Sequence, residues 1–146
     1  MAGDEATIAA YNVAMALETE AMQLEAGRTR QGVLTLLREP DRGFYLVAEA
    51  DGKLIGQLMI TYEWSDWRNG NFWWIQSVYV EPGHRGKGVY QRLHERVVEM
   101  AQQQDGVCGI RLYVEQHNGR AQRVYEKMGM TKTAYLVYET DFVLQR

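Results

Sequence analysis

The stretch from Val78 to Tyr90 constrains the fold of this chain most strongly. Val78 and Val80 close an apolar run typical of a strand, and Pro82 stops it because proline has no N–H to donate. Helical spacing of apolar residues then begins at Val89 and continues along the next turns. The sequence therefore predicts a strand, a short Gly-rich loop and the start of a helix in immediate succession.

The Gly-rich loop has the composition of a phosphate-binding site. Three glycines, Gly83, Gly86 and Gly88, fall within six residues and let backbone N–H groups crowd together. A helix N-terminus adds unpaired N–H groups and a partial positive charge, and Arg85 and Lys87 add full charges. We expect a phosphate or pyrophosphate here. An ordinary loop with solvated basic residues is the alternative.

Two common phosphate loops are excluded by the residues at defined positions. A Walker A loop needs glycine where Glu81 stands and serine or threonine where Gly88 stands. A dinucleotide-binding Rossmann loop starting at Gly86 needs glycine or alanine where Gln91 stands. The loop resembles instead the acyl-CoA loop of the GCN5-related N-acetyltransferases, whose pattern is Gln/Arg-x-x-Gly-x-Gly/Ala. Arg85 and Gly88 fit that pattern, and Tyr90 departs from its last position.

Length and composition restrict the class of protein. The 146 residues suffice for one domain, and a net charge of −3 argues against a dedicated nucleic-acid binder. A single cysteine, Cys108, excludes an intrachain disulfide and a cysteine-cluster metal site, so we expect no metal. The sequence contains no run of about 18 apolar residues, so a membrane span is not predicted. Asp4 and Glu5 stand where a signal peptide carries basic residues, so a cytoplasmic location is expected.

Hydrophobic periodicity and turn residues predict the order α-α-β-β-β-α-β-α-β. Helices are expected over about 6–20, 28–38, from 89 to about 104, and 117–128. Strands are expected over 44–50, 53–63, 71–80, 108–115 and about 130–142. Asp51-Gly52 and Asn69-Gly70 predict antiparallel turns, and the strand-helix-strand unit predicts a right-handed parallel crossover. Because side chains alternate strictly between the two faces of a strand, one face of the third strand is expected to carry Phe72, Trp74, Gln76, Val78 and Val80.

A second block, residues 111–130, resembles the same family without gaps. The family's pattern of Leu-x-Val followed by Asn, Ala, Tyr and Gly before an apolar residue is met by Leu112, Val114, Asn118, Ala121, Tyr125, Gly129 and Met130. The hairpin and the Trp-rich loop at residues 64–70 look closest to the diamine (spermidine/spermine-type) acetyltransferases. The resemblance implies one acyl-CoA N-acetyltransferase domain over 1–146. It also implies an α/β fold, with a mixed, mostly antiparallel twisted sheet, about four helices and splayed parallel central strands.

The family begins with a strand before its first helix. Only Met1 to Glu5 precede the first predicted helix here, so that strand is expected to be missing or very short. Truncation of the chain, or a segment of a partner chain covering that edge, are the two explanations that stay open.

The resemblance also implies roles for individual residues, with acetyl-CoA as co-substrate. The main chain of Val78, Tyr79 and Val80 is expected along the pantetheine arm. Tyr125 is expected to protonate the leaving thiolate, and Asn118 to contact the cofactor. The pyrophosphate would be held by the loop residues Arg85, Gly86, Lys87, Gly88, Val89 and Tyr90.

Several of these residues have plain structural alternatives. Tyr125 lies at helical spacing with Ala121 and would be a core residue if taken alone. Asn118 suits a helix N-cap, and both of its roles can hold together. Cys108 is expected to be a buried apolar residue, and His94 to be exposed or half-buried.

The general base is not identified by the sequence. Gln76 occupies the position where some relatives carry a catalytic Glu, and an amide cannot take the proton. Water or one of Glu18, Glu20, Glu63, Asp66 and Tyr79 remain as alternatives. Acidic and aromatic groups suit a cationic amine, so Glu18, Glu20 and the Trp64–Trp67 segment, including Trp67, are expected to line the acceptor pocket beside Gln76.

The function indicated is direct acetyl transfer from acetyl-CoA to a primary amine of a small molecule or peptide, in a ternary complex. A homodimer is expected from the Trp-rich segment, and neither a nucleic acid nor a membrane is expected as partner. Two alternatives stay open. One is a non-catalytic acyl-CoA-binding module, favoured by Gln76. The other is a protein-interaction domain that uses the Trp-rich loop.

Overall fold

The structure is a computed structural model that describes residues 3–144. The chain forms two compact units, Met1–Leu112 and Tyr113–Arg146. The predicted single domain stays a prediction. Met1 to Glu5, where the first strand is expected to be missing or very short, lies partly outside the described residues, and the first described element is a helix.

The first unit combines three α-helices with a four-stranded sheet within the described residues. Its elements are α1 (Glu5–Glu20), α2 (Ala26–Arg38), β1 (Gly43–Ala50), β2 (Lys53–Ser65), β3 (Gly70–Val80), a 3-10 turn (Pro82–His84), α3 (Val89–Gln103) and β4 (Val107–Leu112). The strands lie in the order β1-β2-β3-β4. The first two pairs are antiparallel and the third, β3 with β4, is parallel. The predicted mixed, mostly antiparallel α/β fold is confirmed.

The two predicted turns join antiparallel strands. Asp51 and Gly52 have φ of 53° and 77°, which are the two positive values that a type I′ turn requires. Asn69 has φ of 50° at the end of the β2–β3 connection, where Ser65 pairs with Gly70. Both turns formed because their Asp, Asn and Gly residues accept this backbone conformation at little cost.

The sheet carries an apolar cluster on each side. One cluster packs β2 and β3 against α3, and its buried members are Leu58, Ile60, Trp73, Ile75, Leu93, Val97 and Ala101. The other packs α1 and α2 against the sheet through Ile8, Ala9, Val33 and Leu54. Fully burying one such large aliphatic side chain is worth about 1.5–3 kcal/mol, so the two clusters fix the sheet between its helices.

The predicted strict alternation along β3 is wrong because a β-bulge interrupts the strand. Trp73 and Ile75 belong to the α3 cluster, and Val78 packs against that same cluster. The register explains this change of parity: Gln57 pairs with Tyr79 but Met59 pairs with Gln76, so one extra residue lies on β3. Ser77 sits in that bulge with φ of 52°, a left-handed value uncommon for residues other than glycine.

The parallel pairing of β3 with β4 ends at the middle of β3. Pairing of β3 with β4 runs from Asn71 with Val107 to Ile75 with Leu112. β3 continues to Val80 and stays paired with β2, where Gly56 lies opposite Val80. The parallel pairing therefore ends where β4 ends, next to the bulge, and the predicted splaying of the two strands stays a prediction.

The second unit contains one short helix, α4 (Gly119–Lys127), among its described residues. Asn118 is its N-cap, and its Oδ1 accepts a hydrogen bond of 3.1 Å from the Ala121 N–H. Gly129 follows the helix with φ of 90°, so the predicted glycine stop is confirmed. The strand predicted over about 130–142 is wrong: described residues 130–144 form neither helix nor strand.

Candidate functional site

The backbone of β3 presents polar groups on the side that faces away from β2. The Glu81 N–H donates to the Ile55 carbonyl of β2 at 2.8 Å. Successive residues of a strand direct their backbone groups to opposite sides, so the groups of Val80, and two residues earlier Val78, are directed away from β2. The Val80 carbonyl confirms this direction by accepting from Arg85 Nε at 2.8 Å. Because β4 ends at Leu112, opposite Ile75, this part of β3 has no strand partner on that side within the first unit, and Arg85 is bonded to its last carbonyl.

The Gly-rich loop delivers an uncapped helix N-terminus next to that edge. Gly86 and Gly88 both adopt left-handed φ, 76° and 78°. Gly88 is the N-cap of α3 and makes no side-chain capping bond. The first helical bond runs from the Arg92 N–H to the Gly88 carbonyl at 3.1 Å, so the N–H groups of Val89, Tyr90 and Gln91 precede it. This is the geometry in which helices bind anions.

The space over the loop is open enough for an anion to reach the backbone. A Cβ placed on Gly86 or Gly88 would meet no heavy atom within 4 Å. Lys87, between them, is exposed and contributes positive charge. The loop therefore combines accessible N–H donors with a cation, as a phosphate requires.

Arg85 is committed to contacts inside the protein. Its N–H donates to the Pro82 carbonyl at 3.3 Å, and its guanidinium forms a 2.9 Å ion pair with Glu18 of α1. The guanidinium also lies 5.2 Å from the centre of the Tyr79 ring. Both partners of the ion pair are about half exposed, and such pairs are worth only about 0.2–1 kcal/mol. Arg85, predicted to bind pyrophosphate, and Glu18, predicted to bind the amine, thus contact each other.

Tyr90 keeps its side chain away from the loop. The ring packs against the α3 cluster, and its hydroxyl is 3.0 Å from His94 Nδ1. His94 is buried, with 3% of its surface exposed, so the expectation of an exposed or half-buried side chain is wrong. Burial lowers the pKa of His94, and the nearby Glu95 carboxylate opposes that change. The departure of Tyr90 from the family pattern therefore leaves its backbone N–H at the helix start.

Tyr11 and Glu81 join the site, although neither is a candidate in the sequence analysis. The Tyr11 hydroxyl donates to the Leu54 carbonyl at 2.7 Å and to Glu81 Oε2 at 3.2 Å. The Tyr11 ring stacks on Tyr79 with 4.8 Å between ring centres. Burial first, and then the Glu81 carboxylate, raise the pKa of Tyr11. Contacts spanning 43 and 70 residues leave no local pattern from which they can be predicted.

A buried polar pair supports the bulge in β3. Gln57 has no exposed surface, and its Nε2 donates to Asn12 Oδ1 at 2.9 Å and to the Ser77 carbonyl at 3.2 Å. The second bond, from β2, holds Ser77 of β3, the residue with the left-handed φ. Gln57 Oε1 is buried and has no hydrogen-bond partner, which is costly for a polar atom. Gln57 was not a candidate from the sequence, because its partner Asn12 lies 45 residues away on another element.

The candidates for a general base are engaged in other contacts. Gln76 donates its Nε2 to Thr61 Oγ1 at 2.6 Å, and Glu63 forms a 2.7 Å ion pair with Arg111. Asp66 accepts from the Trp67 N–H at 2.9 Å, and Tyr79 is buried under Tyr11. Glu20 is exposed at the end of α1. None of these contacts positions a carboxylate as a base, so the identity of the base stays open.

The structure does not bring Trp67 together with Glu18, so the single acceptor pocket predicted from both is wrong. Glu18 contacts Arg85 at the C-terminal end of β3, whereas Trp67 lies in the turn before β3 begins. Ten residue steps of about 3.3 Å separate the two ends of that strand, or roughly 30 Å. Trp67 is 85% exposed. An open cleft of about 400 Å³ at this far end is lined by Trp64 and Trp73.

Asn118 and Tyr125 lie in the second unit, at the start and near the end of α4. The N-cap role of Asn118 is present in the structure, and its cofactor contact stays a prediction. Tyr125 is half-buried on its helix, and its role as acid also stays a prediction. Cys108 is half-buried on β4 and has a free thiol.

Two further features of the described residues concern metal ligands and helix length. Across residues 3–144, no group of three or more His, Cys, Asp or Glu side chains is arranged to hold a metal ion. Over the same span, every helix is too short or too polar to cross a membrane.

Solved structures resemble this chain in fold and, in one case, closely in sequence. A possible acetyltransferase from Clostridium difficile is 40% identical with a TM-score of 0.88, over 97% of this chain and 93% of that one. A predicted acetyltransferase from Clostridium acetobutylicum, determined with acetyl-CoA, is 17% identical with a TM-score of 0.76. That comparison covers 94% of this chain and 90% of the other, and it shows similarity of fold.

Among curated relatives, the mycothiol acetyltransferase of Beutenbergia cavernae is 31% identical over 117 residues, which are 80% of this chain. The chain spans from 37% to 52% of the length of the first relatives it matches. The model of the acetyltransferase (GNAT) family matches residues 10–130, which include the bulged strand, the Gly-rich loop and α4. With fold, loop and family model in agreement over most of its length, the chain belongs to the GNAT family of acetyltransferases.

Proposed function

We propose that this protein transfers an acetyl group from acetyl-CoA to a primary amine, by direct attack in a ternary complex. One observation carries the proposal: the unpaired end of β3 leads directly into a glycine loop and an uncapped helix N-terminus. An extended strand edge suits an amide-containing arm, and a helix N-terminus suits a pyrophosphate. Coenzyme A contains both of these parts in one molecule.

The residues of this chain supply binding and orientation. The outward backbone groups of Val78 and Val80 would bond the pantetheine amides as an added strand does. The N–H groups from Gly86 to Tyr90 would hold the pyrophosphate. Arg85 would exchange Glu18 for a phosphate at small cost, because their exposed ion pair is weak.

The thioester of the co-substrate supplies an already activated acetyl group. In the proposed transfer, the nitrogen of the neutral amine forms a bond to the carbonyl carbon while the carbon–sulfur bond breaks, and the nitrogen then loses a proton to water. A backbone N–H of the bulge near Val78 is our candidate donor to the carbonyl oxygen. Tyr125 is our candidate donor of a proton to the leaving thiolate, because a phenol and a thiol have comparable pKa values.

Calorimetry with acetyl-CoA, combined with a thiol-release assay on a panel of amines, tests the proposal. We expect binding to the protein and release of one free CoA thiol for each amine acetylated. The panel contains diamines, amino acids, amino sugars and peptide N-termini, because nothing in the fold selects one of them. Absence of acetyl-CoA binding would overturn the proposal.

A non-catalytic acyl-CoA-binding module is the second candidate. Gln76 favours it, because its amide is bonded to Thr61 and offers no carboxylate to accept a proton. This candidate predicts binding of acetyl-CoA without thiol release for any amine in the panel. Turnover with one amine class, abolished by heat but not by added chelator, would exclude it.

The finer features predicted from the sequence stay predictions. They are the diamine-type acceptor, the involvement of Glu18 and Glu20 in its recognition, the cytoplasmic location and the homodimer. The amine panel tests the first of these predictions. Replacement of Glu18 or Glu20 by glutamine then tests the second, and it should raise the KM for the amine but not the KM for acetyl-CoA.

A further inference from the structure

The bulge in β3 has a backbone conformation that its own residue does not favour. Ser77 lies in this bulge with φ of 52°, in the left-handed region that serine seldom adopts. A conformation of this kind persists only where the surrounding structure imposes it, and such cases gather at functional sites. The contacts of Ser77 therefore show what imposes the conformation.

A chain of side-chain hydrogen bonds ends on the Ser77 carbonyl. Gln57 of β2 has no exposed surface, and its Nε2 donates to that carbonyl at 3.2 Å and to Asn12 Oδ1 at 2.9 Å. Asn12 is buried on α1, and its side chain also bonds Tyr45 of β1. Both atoms that the Gln57 Nε2 faces are acceptors, so its two hydrogens are both used. Residues of one helix and two strands thus connect to the bulge.

The bond to the Ser77 carbonyl also fixes the direction of the next N–H. The carbonyl of Ser77 and the N–H of Val78 belong to one planar trans peptide unit, in which the two groups point in opposite directions. A carbonyl held by Gln57 therefore turns the Val78 N–H away from that side chain. This N–H lies at the bulge, where the proposed transfer needs a donor to the thioester carbonyl.

This arrangement of the bulge lowers stability in two ways. Gln57 Oε1 is buried and finds no hydrogen-bond partner among the described residues. The left-handed Ser77 adds a second unfavourable feature. An apolar side chain in place of Gln57 would remove the first, and glycine in place of Ser77 would remove the second. Two such features that act on one peptide unit are expected where its orientation matters more than stability.

We propose that Gln57 is a positioning residue for acetyl transfer, a role that rests on the proposed function. Its amide, backed by Asn12, holds the Ser77 carbonyl and thereby aims the Val78 N–H at the carbonyl oxygen of the thioester. Gln57 is fully buried and acts only through the peptide unit. A donor that is oriented before charge develops on the oxygen stabilises the transition state without reorganising during the reaction.

Steady-state kinetics of Gln57→Met, Ser77→Gly and the double variant test the proposal, with the amine that the panel identifies. Gln57→Met removes both donated bonds at similar volume, so kcat should fall about 10–100-fold, less than the 10²–10³-fold typical of losing an oxyanion donor outright. The Kd of acetyl-CoA, measured by calorimetry, should change little. Glycine adopts positive φ without support, so Gln57→Met should lower kcat at least about fivefold less in the Ser77→Gly background.

Val33→Ala is the matched control for general destabilisation. Val33 is buried in the cluster of α1, α2 and the sheet, and it is not part of the hydrogen-bonded chain. This variant should unfold at lower urea concentration and keep its kcat. An unchanged kcat in Gln57→Met overturns the proposal. So does an equal loss of kcat in Val33→Ala, or a loss in Gln57→Met that Ser77→Gly does not reduce.

Urea unfolding of the same variants separates this role from the proposed function. The decrease in urea midpoint caused by Gln57→Met should be smaller in the Ser77→Gly background, because glycine needs no support. Equal decreases in both backgrounds overturn the role of Gln57 even for a protein that binds and acetylates normally. A natural sequence that neither binds acetyl-CoA nor releases thiol overturns the proposed function and, with it, the catalytic part of this role.

Discussion

Replacement of Gly88 by alanine separates what the loop contributes to stability from what it contributes to binding. Gly88 has φ of 78° and ψ of 17°, in the left-handed region. An L-residue there costs about 1–2 kcal/mol. A Cβ at this position meets nothing within 4 Å, so no clash adds to that cost. We expect the free energy of unfolding to fall by about 1–2 kcal/mol, which lowers Tm by roughly 2–8 °C for a protein of this size.

Binding of acetyl-CoA by the folded variant should weaken as well, separately from the loss of stability. The new Cβ stands beside the N–H groups at the start of α3, where a phosphate must approach the backbone closely. We expect at least a tenfold loss of affinity for acetyl-CoA, equivalent to about 1.4 kcal/mol, measured by calorimetry on the folded variant.

Two further variants make the experiment decisive. Gly83→Ala is the matched control, because its Cβ also meets nothing within 4 Å and its φ is not left-handed. This control should retain both stability and affinity. Gly88→Asn restores part of the stability, since asparagine tolerates the left-handed region, but it still carries a Cβ and should bind weakly. Affinity for acetyl-CoA that is unchanged in Gly88→Ala and Gly88→Asn would refute the assignment of this loop to the pyrophosphate.

Three other predictions concern the acid, a buried histidine and the packing of the sheet. Tyr125→Phe should lower kcat for acetyl transfer by about 10²–10⁴-fold with little change in acetyl-CoA affinity, and an unchanged kcat would exclude it as the acid. The pKa of His94 is lowered from 6.5 by burial, so the unfolded chain binds the proton first and the free energy of unfolding should decrease as pH falls below about 6.5. In urea unfolding across that pH range, the free energy of unfolding should depend less steeply on pH for His94→Gln than for the natural sequence. An identical pH dependence would contradict the assignment of this effect to His94. Gly109→Ala places a Cβ 2.6 Å from the Phe72 ring, so the free energy of unfolding measured in urea should fall by about 1–3 kcal/mol. The control Gly32→Ala, whose Cβ meets open space, should not destabilise the protein.

Features set by neighbouring residues could be predicted from the sequence. The type I′ turn at Asp51-Gly52, the glycine stop at Gly129 and the N-cap at Asn118 each depend on a backbone conformation that one or two residues prefer. The start of α3 at Val89 follows in the same way from the glycines before it. Element order was therefore predictable up to the end of α4.

Features set by contacts between distant residues could not be predicted. The bulge at Ser77 depends on Gln57, twenty residues away on another strand, and apolar residues of both parities along β3 conceal it. The wrong prediction of a strand over about 130–142 has a related cause. A strand propensity says that a segment can pair, and it does not say which edge is present for it. Residues 130–142 carry the propensity without forming a strand in the described structure.

The contacts between α1 and the Gly-rich loop would let Arg85 exchange Glu18 for the proposed phosphate without disturbing the fold. α1 is held near the loop by three groups of contacts: the Arg85–Glu18 ion pair, the hydrogen bonds of the Tyr11 hydroxyl, and the stacking of Tyr11 on Tyr79. The first is exposed and weak, whereas the other two are partly buried and do not involve Arg85. An anion that drew Arg85 away from Glu18 would therefore break only the weakest of the three. It would leave the helix in place and free the Glu18 carboxylate beside the loop.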